Sequence, residues 1–145
     1  MESAGYSNTP LARKLGIKRS FRILLVNEPL NYFQLFTDLP DDLEFVETWD
    51  TGINLIHYFT KDIRELEHDI ARLRNAIVQN GSIWVSWPKK ASKIETNITE
   101  DLIRNLALAS GLVDIKVCAI DSIWSGLKLV IPVKQRLGQS EGQCV

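Results

Sequence analysis

The sequence lacks several features that mark particular classes of protein. No apolar run among its 145 residues approaches the length of roughly 18 residues that is needed to cross a bilayer, which argues against a membrane protein. The first ten residues have neither a basic start nor an apolar stretch, so we expect a cytoplasmic protein that is not exported. No residues have the spacing of metal ligands, and both cysteines, Cys118 and Cys144, are expected to be reduced thiols.

An excess of charge of one sign is also missing, and so are the common catalytic motifs. The formal net charge is -1, which argues against general nucleic-acid binding. The patterns GxGxG, GxGxxG and GxSxG and the P-loop do not occur. Neither histidine, His57 or His68, has an evident serine or cysteine partner. These absences argue against nucleophilic catalysis.

What is present is the alternation of strands and helices that is typical of an α/β domain. With 45% hydrophobic residues, the chain is long enough to bury one core. Apolar segments predict six strands, and the last two are separated only by Asp121 and Ser122, a gap that permits an antiparallel hairpin. We expect the strands at 21–27, 43–48, 54–60, 82–87, 112–120 and 123–133.

Four helices are predicted from their start and stop signals. Thr9 can cap a short helix that begins with Pro10 and ends at Gly16, and a weak helix is expected at 30–39. A long amphipathic helix follows, with apolar residues spaced by three and four over 63–77. Thr60 is its predicted N-cap, and Asn80-Gly81 is its predicted end. The last helix has Thr99 as its N-cap, Glu100 and Asp101 in its first turn, and Gly111 at its end.

This order of elements predicts an α/β fold of one three-layer domain. Because each parallel return needs a crossover that covers a face, the sheet is expected to be mostly parallel, with an antiparallel C-terminal strand. The order resembles the methyltransferase-like version of the Rossmann-like fold, without a helix between the second and third strands. We predict an N-terminal arm with a short helix at 1–20, the Rossmann-like domain at 21–134 and a flexible tail at 135–145.

In sheets of this kind, ligands bind beyond the carboxyl ends of the strands, near the point where the strand order reverses. Polar and aromatic residues follow several predicted strand ends, and Lys89 and Lys90 suggest a site for an anion. Aromatic rings there could stack a flat ligand. The candidate ligand-binding residues are Asn27, Glu47, Thr60, Trp87, Lys89, Lys90, Thr99, Trp124, Ser125 and Lys128.

Each of these candidates also has a simpler interpretation. Lys89 and Lys90 are typical of an exposed strand end that keeps the protein soluble, and Trp87 and Trp124 are typical of core or rim packing. Glu47 stands where a ribose-binding acid would lie in cofactor-binding relatives of the fold, or it is an ordinary solvated acid. The motif of amino-methylating enzymes is an Asp or Asn followed by two prolines and an aromatic residue. It is missing from its expected place after the third strand, where the sequence is YFTKD.

Three segments of the sequence resemble a family of small bacterial proteins known as a domain of unknown function. The segments are WPKKAS, TEDLIRNLALASGLVDIKVCAID and WSGLKLV, and the likeness covers residues 11–130, including LGIK at 15–18. The resemblance implies a fold and a shared surface, and it implies no reaction, cofactor or catalytic residue. The sequence departs from the family pattern at Asn27-Glu28-Pro29, where a glycine-containing loop is expected; this departure argues against a tightly held ligand.

Our first functional prediction is a non-catalytic domain that binds a small anionic molecule or a protein partner at the carboxyl edge of its sheet, with no cofactor. One alternative is a divergent S-adenosylmethionine-dependent methyltransferase that uses the same edge, with Glu47 on the ribose. Another is a structural protein whose final hairpin pairs with a second copy to form a homodimer.

Overall fold

The computed structural model describes residues 9–137, which form a six-stranded sheet with helices on both faces. The strands are β1 Arg22–Val26, β2 Glu44–Val46, β3 Ile53–Phe59, β4 Ile77–Pro88, β5 Val113–Ala119 and β6 Trp124–Val130. The helices are α1 Leu11–Leu15, α2 Ile63–Ala76 and α3 Glu100–Ala109. Short 3₁₀ turns occur at Tyr32–Leu35, Lys90–Ser92 and Val133–Gln135.

The sheet has the order β2-β1-β3-β4-β6-β5. β1 is parallel to β2 and β3, and β3 is parallel to β4. β6 lies between β4 and β5 and is antiparallel to both. No helix joins β2 to β3. The predicted fold class, a mostly parallel Rossmann-like sheet with an antiparallel C-terminal strand, is confirmed.

Two apolar cores cover the opposite faces of the sheet. Tyr58 belongs to the core under α2 and α3, whereas the next residue, Phe59, belongs to the core under α1. Successive side chains of a strand point to opposite faces, so a strand that is buried on both faces needs apolar residues at nearly every position. This requirement explains the largely apolar sequences of β3 and of residues 83–88 in β4.

The starts of two helices differ from the predictions. Asp62, rather than Thr60, is the N-cap of α2, because its carboxylate accepts a hydrogen bond of 2.9 Å from the amide of Arg64. α1 has Pro10, rather than Thr9, at its N-cap position. Both errors are shifts of one or two residues, which is the usual scale of error at a helix end.

The predicted end of the long helix is wrong by a larger margin. α2 ends at Ala76, and β4 begins at Ile77, so Asn80 and Gly81 lie within a strand. The helical spacing of apolar residues continues to Ile77 in the sequence, but Ile77 pairs with Ile53 of β3. Tertiary pairing therefore overrides the local pattern at this point.

The predicted weak helix at 30–39 is reduced to the 3₁₀ turn Tyr32–Leu35. Tyr32 is buried, and its hydroxyl is 3.0 Å from Nδ1 of His57, so this side chain helps to anchor the segment to the sheet. Most of the predicted flexible tail, including Cys144, lies outside the described residues. Cys118 is a free thiol, as predicted.

The signals at both ends of the last helix are confirmed. The hydroxyl of Thr99 accepts a hydrogen bond of 3.2 Å from the amide of Leu102, and Glu100 and Asp101 occupy the first turn of α3. Gly111 follows the helix with a φ of +81°, a left-handed conformation that glycine adopts without steric cost.

Candidate functional site

The carboxyl ends of β1, β3 and β4 meet at one edge of the sheet, as the sequence predicts. The chain leaves β1 toward β2 on one side and leaves β3 toward β4 on the other, so the strand order reverses between β1 and β3. A cleft of about 460 Å³ lies at this reversal. We call it the β1–β3 cleft, and its lining residues are Asn27, Pro29, Phe59, Thr60, Lys61, Asp62, Glu65 and Trp124.

Asn27 forms the wall of the β1–β3 cleft at the end of β1. Its φ of +58° is left-handed, the conformation that a glycine commonly supplies and that asparagine tolerates better than most residues. The amide Nδ2 donates hydrogen bonds of 3.1 Å to the carbonyl of Phe59 and to Oε2 of Glu65. Asn27 thus links β1 to β3 and to α2 across the point of reversal.

The carboxylate of Glu65 accepts hydrogen bonds from residues at the ends of β1 and β3. Its Oε1 accepts a hydrogen bond of 2.6 Å from the hydroxyl of Thr60, and its Oε2 accepts from Asn27. The neighbouring Asp62 accepts hydrogen bonds from the amide of Arg64 and from the side chain of Asn97. The amide of Arg64 and, second, the side chain of Asn97 lower the pKa of Asp62. Two carboxylates therefore line the cleft.

The opposite side of the β1–β3 cleft is aromatic. Trp124, the first residue of β6, is 9% exposed, and its ring centroid is 5.0 Å from that of Phe59 in an edge-to-face arrangement. Lys61 is the one cation among the lining residues, beside the carboxylates of Asp62 and Glu65. The charges of the lining residues favour a ligand with positive groups over a simple anion.

A second cleft, of about 520 Å³, lies beside the first turn of α3. We call it the α3 cleft; its lining residues are Trp87, Pro88, Lys90, Thr96, Asn97, Ile98, Thr99, Glu100 and Asp101. Glu100 and Asp101 form ion pairs with Arg104 at 2.5 and 2.6 Å. The carboxylate of Asp114 lies 3.0 Å from Nε of Arg104. The hydrogen bonds from Asp114 and then Glu100 raise the pKa of Arg104. The two acids of the first turn are thus paired with a cation.

The structure divides the predicted site residues among several places. The β1–β3 cleft contains Asn27, Thr60 and Trp124, and the α3 cleft contains Trp87, Lys90 and Thr99. Four predicted residues line neither of these two clefts, namely Glu47, Lys89, Ser125 and Lys128.

Two of those four residues lie near the carboxyl edge. The amide of Lys89 donates a hydrogen bond of 2.8 Å to the carbonyl of Ile123, and Ser125 pairs with Trp87 in the ladder between β4 and β6. Glu47 is exposed just beyond β2, at the outer side of the sheet.

The prediction that Lys128 belongs to this edge needs correction. Lys128 pairs with Trp84 in the middle of β4, and its ammonium lies beside Gly16 at the end of α1. Lys128 lies four positions after Trp124 along β6, which corresponds to about 13 Å of extended strand. The error arose because β6 runs antiparallel, so its residues leave the carboxyl edge as their numbers increase.

Sequence reasoning missed a chain of hydrogen bonds beneath the β1–β3 cleft. His57 and Ser86 are fully buried, and Nε2 of His57 lies 2.8 Å from the hydroxyl of Ser86. Nδ1 of His57 is bonded to Tyr32, and Phe59 stacks on the imidazole at 4.2 Å. The sequence gives His57 no evident serine partner, and the structure supplies Ser86. Their separation of 29 residues gives no local signal, and only the pairing of β3 with β4 brings them together.

The buried histidine is electrically neutral. Burial lowers the pKa of His57 to about 3, because the interior disfavours the charged imidazolium. Burial and, to a smaller extent, the charge of Glu28 raise the pKa of Tyr32. A serine and a histidine without solvent access cannot reach a substrate. We therefore interpret the hydrogen bonds among Tyr32, His57 and Ser86 as a structural element.

Within residues 9–137 there is neither a cluster of metal-ligating side chains nor a helix suited to cross a bilayer. No group of three or more histidine, cysteine, aspartate or glutamate side chains is arranged to hold a metal ion. Over the same residues, no helix has the length and apolar character needed to cross a bilayer.

Comparisons with solved structures identify the fold. The chain is similar to a SAM-dependent methyltransferase from Aquifex aeolicus, with 12% identity, a TM-score of 0.56 and 83% and 87% of the two chains covered. It is similar to the fibrillarin pre-rRNA processing protein of Methanococcus jannaschii, with 9% identity, a TM-score of 0.57 and coverage of 86% and 70%.

A third similar structure contains a bound cofactor product. It is the 1,6-didemethyltoxoflavin-N1-methyltransferase of Burkholderia thailandensis with S-adenosylhomocysteine, with 10% identity, a TM-score of 0.55 and coverage of 82% and 73%. At these identities the likeness shows a methyltransferase-like fold and nothing finer.

Sequence comparisons gave no match. No family model and no curated protein matches the chain. The resemblance to a bacterial domain family therefore stays a prediction.

Proposed function

We propose that the chain is a divergent member of the S-adenosylmethionine-dependent methyltransferase class and that it binds the cofactor in the β1–β3 cleft. The observation that carries the proposal is the position of this cleft, at the reversal of strand order in a methyltransferase-like sheet. This proposal takes the methyltransferase alternative in preference to our first prediction, a non-catalytic binder of anions. The two carboxylates that line the cleft favour that choice.

The lining residues fit the chemistry of the cofactor. S-adenosylmethionine carries a sulfonium and an ammonium as well as one carboxylate, and the cleft offers the carboxylates of Asp62 and Glu65 beside the ammonium of Lys61. Trp124 and Phe59 supply an aromatic wall for a flat ring. A volume of about 460 Å³ is within the range of roughly 300–1,000 Å³ that is usual for small-molecule sites.

The chain's own residues would position and enclose the ligand. Asn27 takes the left-handed conformation at the end of β1, so the chain turns there without a glycine. Thr60 and Asn27 hold the carboxylate of Glu65 in place, which orients it in advance of binding. When bound, the cofactor supplies an activated methyl group.

The first experiment measures binding of S-adenosylhomocysteine and S-adenosylmethionine by thermal unfolding and calorimetry. A ligand at a hundred times its dissociation constant should add about 2.7 kcal/mol of stability. Glu65→Gln should weaken binding of both compounds, because it removes a charge from the cleft. Glu67→Gln is the matched control, since Glu67 is an exposed acid on the same helix outside the cleft lining.

Two results would refute this proposal. One is the absence of any thermal shift with either compound at millimolar concentration. The other is equal affinity of the Glu65→Gln and Glu67→Gln variants for both compounds.

A second candidate function is the non-catalytic binding of a small anion or a protein partner at the α3 cleft. The specific observation is that Trp87, Lys90 and the first turn of α3 border the same space. Lys90→Met should then weaken the binding of inorganic phosphate, measured by chemical-shift titration, and should leave S-adenosylhomocysteine binding unchanged. Phosphate binding that is indifferent to Lys90 would exclude this candidate.

A further inference from the structure

Four lysines lie together where α1 ends over the face of the sheet, and they belong to neither cleft. Nζ of Lys116 donates a hydrogen bond of 3.0 Å to the carbonyl of Lys14. The ammonium of Lys128 approaches the turn at Gly16 so closely that a Cβ at that position would lie 3.3 Å from it. Lys18 follows two residues later, and its charge acts on Lys128. We call Lys14, Lys18, Lys116 and Lys128 the lysine cluster.

The lysine cluster has no counter-charge among residues 9–137. No carboxylate in this part of the chain forms an ion pair with any of the four ammonium groups, and Lys128 has no hydrogen-bond acceptor there. Lys128 is half-buried, and burial, then Lys116, then Lys18 lower its pKa. Every one of these causes opposes the charged form.

This arrangement differs from that of Arg104, which is also partly buried. Three carboxylates form ion pairs with Arg104, whereas the charges that act on Lys128 are the ammonium groups of Lys116 and Lys18. Holding like charges together next to a partly desolvated ammonium costs free energy unless an anion offsets it. The cluster is thus electrostatically incomplete within this part of the chain.

Capping of α1 does not account for the cluster. The amide of Gly16 donates to the carbonyl of Arg13 at 3.1 Å, and the amide of Ile17 donates to that of Ala12 at 2.9 Å. The backbone thus satisfies these carbonyls without a lysine. Only Lys116 binds a carbonyl of this turn, so Lys18 and Lys128 need another explanation.

We infer that the lysine cluster is a binding site for a phosphate-bearing anion with at least two negative charges, separate from the β1–β3 cleft. Several ammonium donors on one surface can each reach a different oxygen of a phosphate group. A multiply charged anion would offset several like charges at once. The positive φ of Gly16, +81°, and its missing side chain leave room for the Lys128 ammonium at this surface.

The test measures pyrophosphate binding by calorimetry and thermal unfolding, with ionic strength held constant by sodium chloride. Lys128→Met keeps the length of the side chain and removes its charge, and it should weaken pyrophosphate binding at least tenfold. The same substitution should raise the melting temperature in pyrophosphate-free buffer, because it removes an uncompensated ammonium. A lysine with a merely structural role would not produce both effects. Lys134→Met, at an exposed lysine on another turn, is the matched control.

Several results would overturn the inference. Sodium chloride at equal ionic strength could stabilise the protein as much as pyrophosphate does, or Lys128→Met could bind pyrophosphate as tightly as Lys134→Met. If Lys128→Met does not fold, Lys18→Met decides the matter, because Lys18 is exposed and its loss leaves the core intact. Unchanged pyrophosphate affinity of Lys18→Met would then refute the site. No S-adenosyl compound is present, so this test is independent of the proposed function.

A final arm identifies the source of the phosphate. Preference for pyrophosphate over a short single-stranded uridine RNA would support a small phosphate compound as the ligand. The reverse preference would support the same phosphate chemistry on a nucleic-acid backbone, with a salt dependence that follows the number of contacts.

Discussion

At the scale of single residues, His57 shows how a polar group is accommodated in an apolar core. A neutral imidazole has one donor and one acceptor nitrogen, and the hydroxyls of Tyr32 and Ser86 can complete both hydrogen bonds. Phe59 stacks on the ring and is itself a lining residue of the β1–β3 cleft. The chain of hydrogen bonds therefore ties the segment after β1 to the centre of the sheet.

This environment predicts a loss of stability in mild acid. The pKa of His57 is about 3 in the folded protein and near 6.5 in the unfolded chain, so protons bind preferentially to the unfolded state below pH 6.5. The free energy of unfolding should fall by about 2 kcal/mol between pH 7 and pH 5 because of this one group. Urea unfolding across that range measures the slope. Carboxylates contribute mainly at lower pH.

The matching variants separate His57 from the rest of the chain. His57→Gln keeps a hydrogen-bonding side chain that does not titrate, so it should be less stable at pH 7 and nearly independent of pH down to pH 5. His68→Gln removes the other histidine, on the exposed side of α2, and should keep the slope of the unchanged protein. An equal slope in all three proteins would contradict the assignment to His57.

At the scale of elements, the sequence is most informative where a helix is stabilised by its own residues. The N-cap, first-turn acids and terminal glycine of α3 are all local features, and all of them occur where the sequence predicts. α2 is different, because its end is decided by β4. The backbone of Ile77 gains partners in the sheet that a longer helix would deny it.

The cap of α3 gives a prediction of its own. Thr99→Ala should lower the free energy of unfolding by about 1 kcal/mol, because the amide of Leu102 loses its acceptor. Thr99→Ser keeps the hydroxyl and should retain most of the stability. Urea unfolding with an unchanged m-value measures both. If the serine variant loses as much stability as the alanine variant, the hydroxyl is not the stabilising group.

At the scale of the whole molecule, the antiparallel strand β6 shapes both candidate sites. It brings Trp124 to the β1–β3 cleft at its start and carries Lys128 to the lysine cluster further along. β5 forms the outer edge of the sheet, and its ladder with β6 is interrupted between Asp114 and Lys116. Such bulges are common on edge strands and discourage pairing with another chain, which argues against a homodimer through this hairpin. The homodimer itself stays a prediction.

The carboxyl edge itself could be predicted because it follows from strand direction. Parallel β1, β3 and β4 put Asn27, Thr60 and Trp87 at one border, as the order of elements implies. The division of that border into two clefts could not be predicted. The division depends on how α2 and α3 pack against the sheet. The sequence that connects these two helices does not specify that packing.

The sequence by itself determined the fold class, because apolar periodicity, caps and glycine stops act over a few residues and a crossover is needed for every parallel return. Only the tertiary structure decided which polar groups meet. Glu65 is bonded to Asn27, His57 is bonded to Tyr32 and Ser86, and the Lys128 ammonium lies beside Gly16, all through contacts between segments far apart in the sequence. The physical reason is that charge pairing and burial depend on distances across the sheet, which local sequence patterns do not encode.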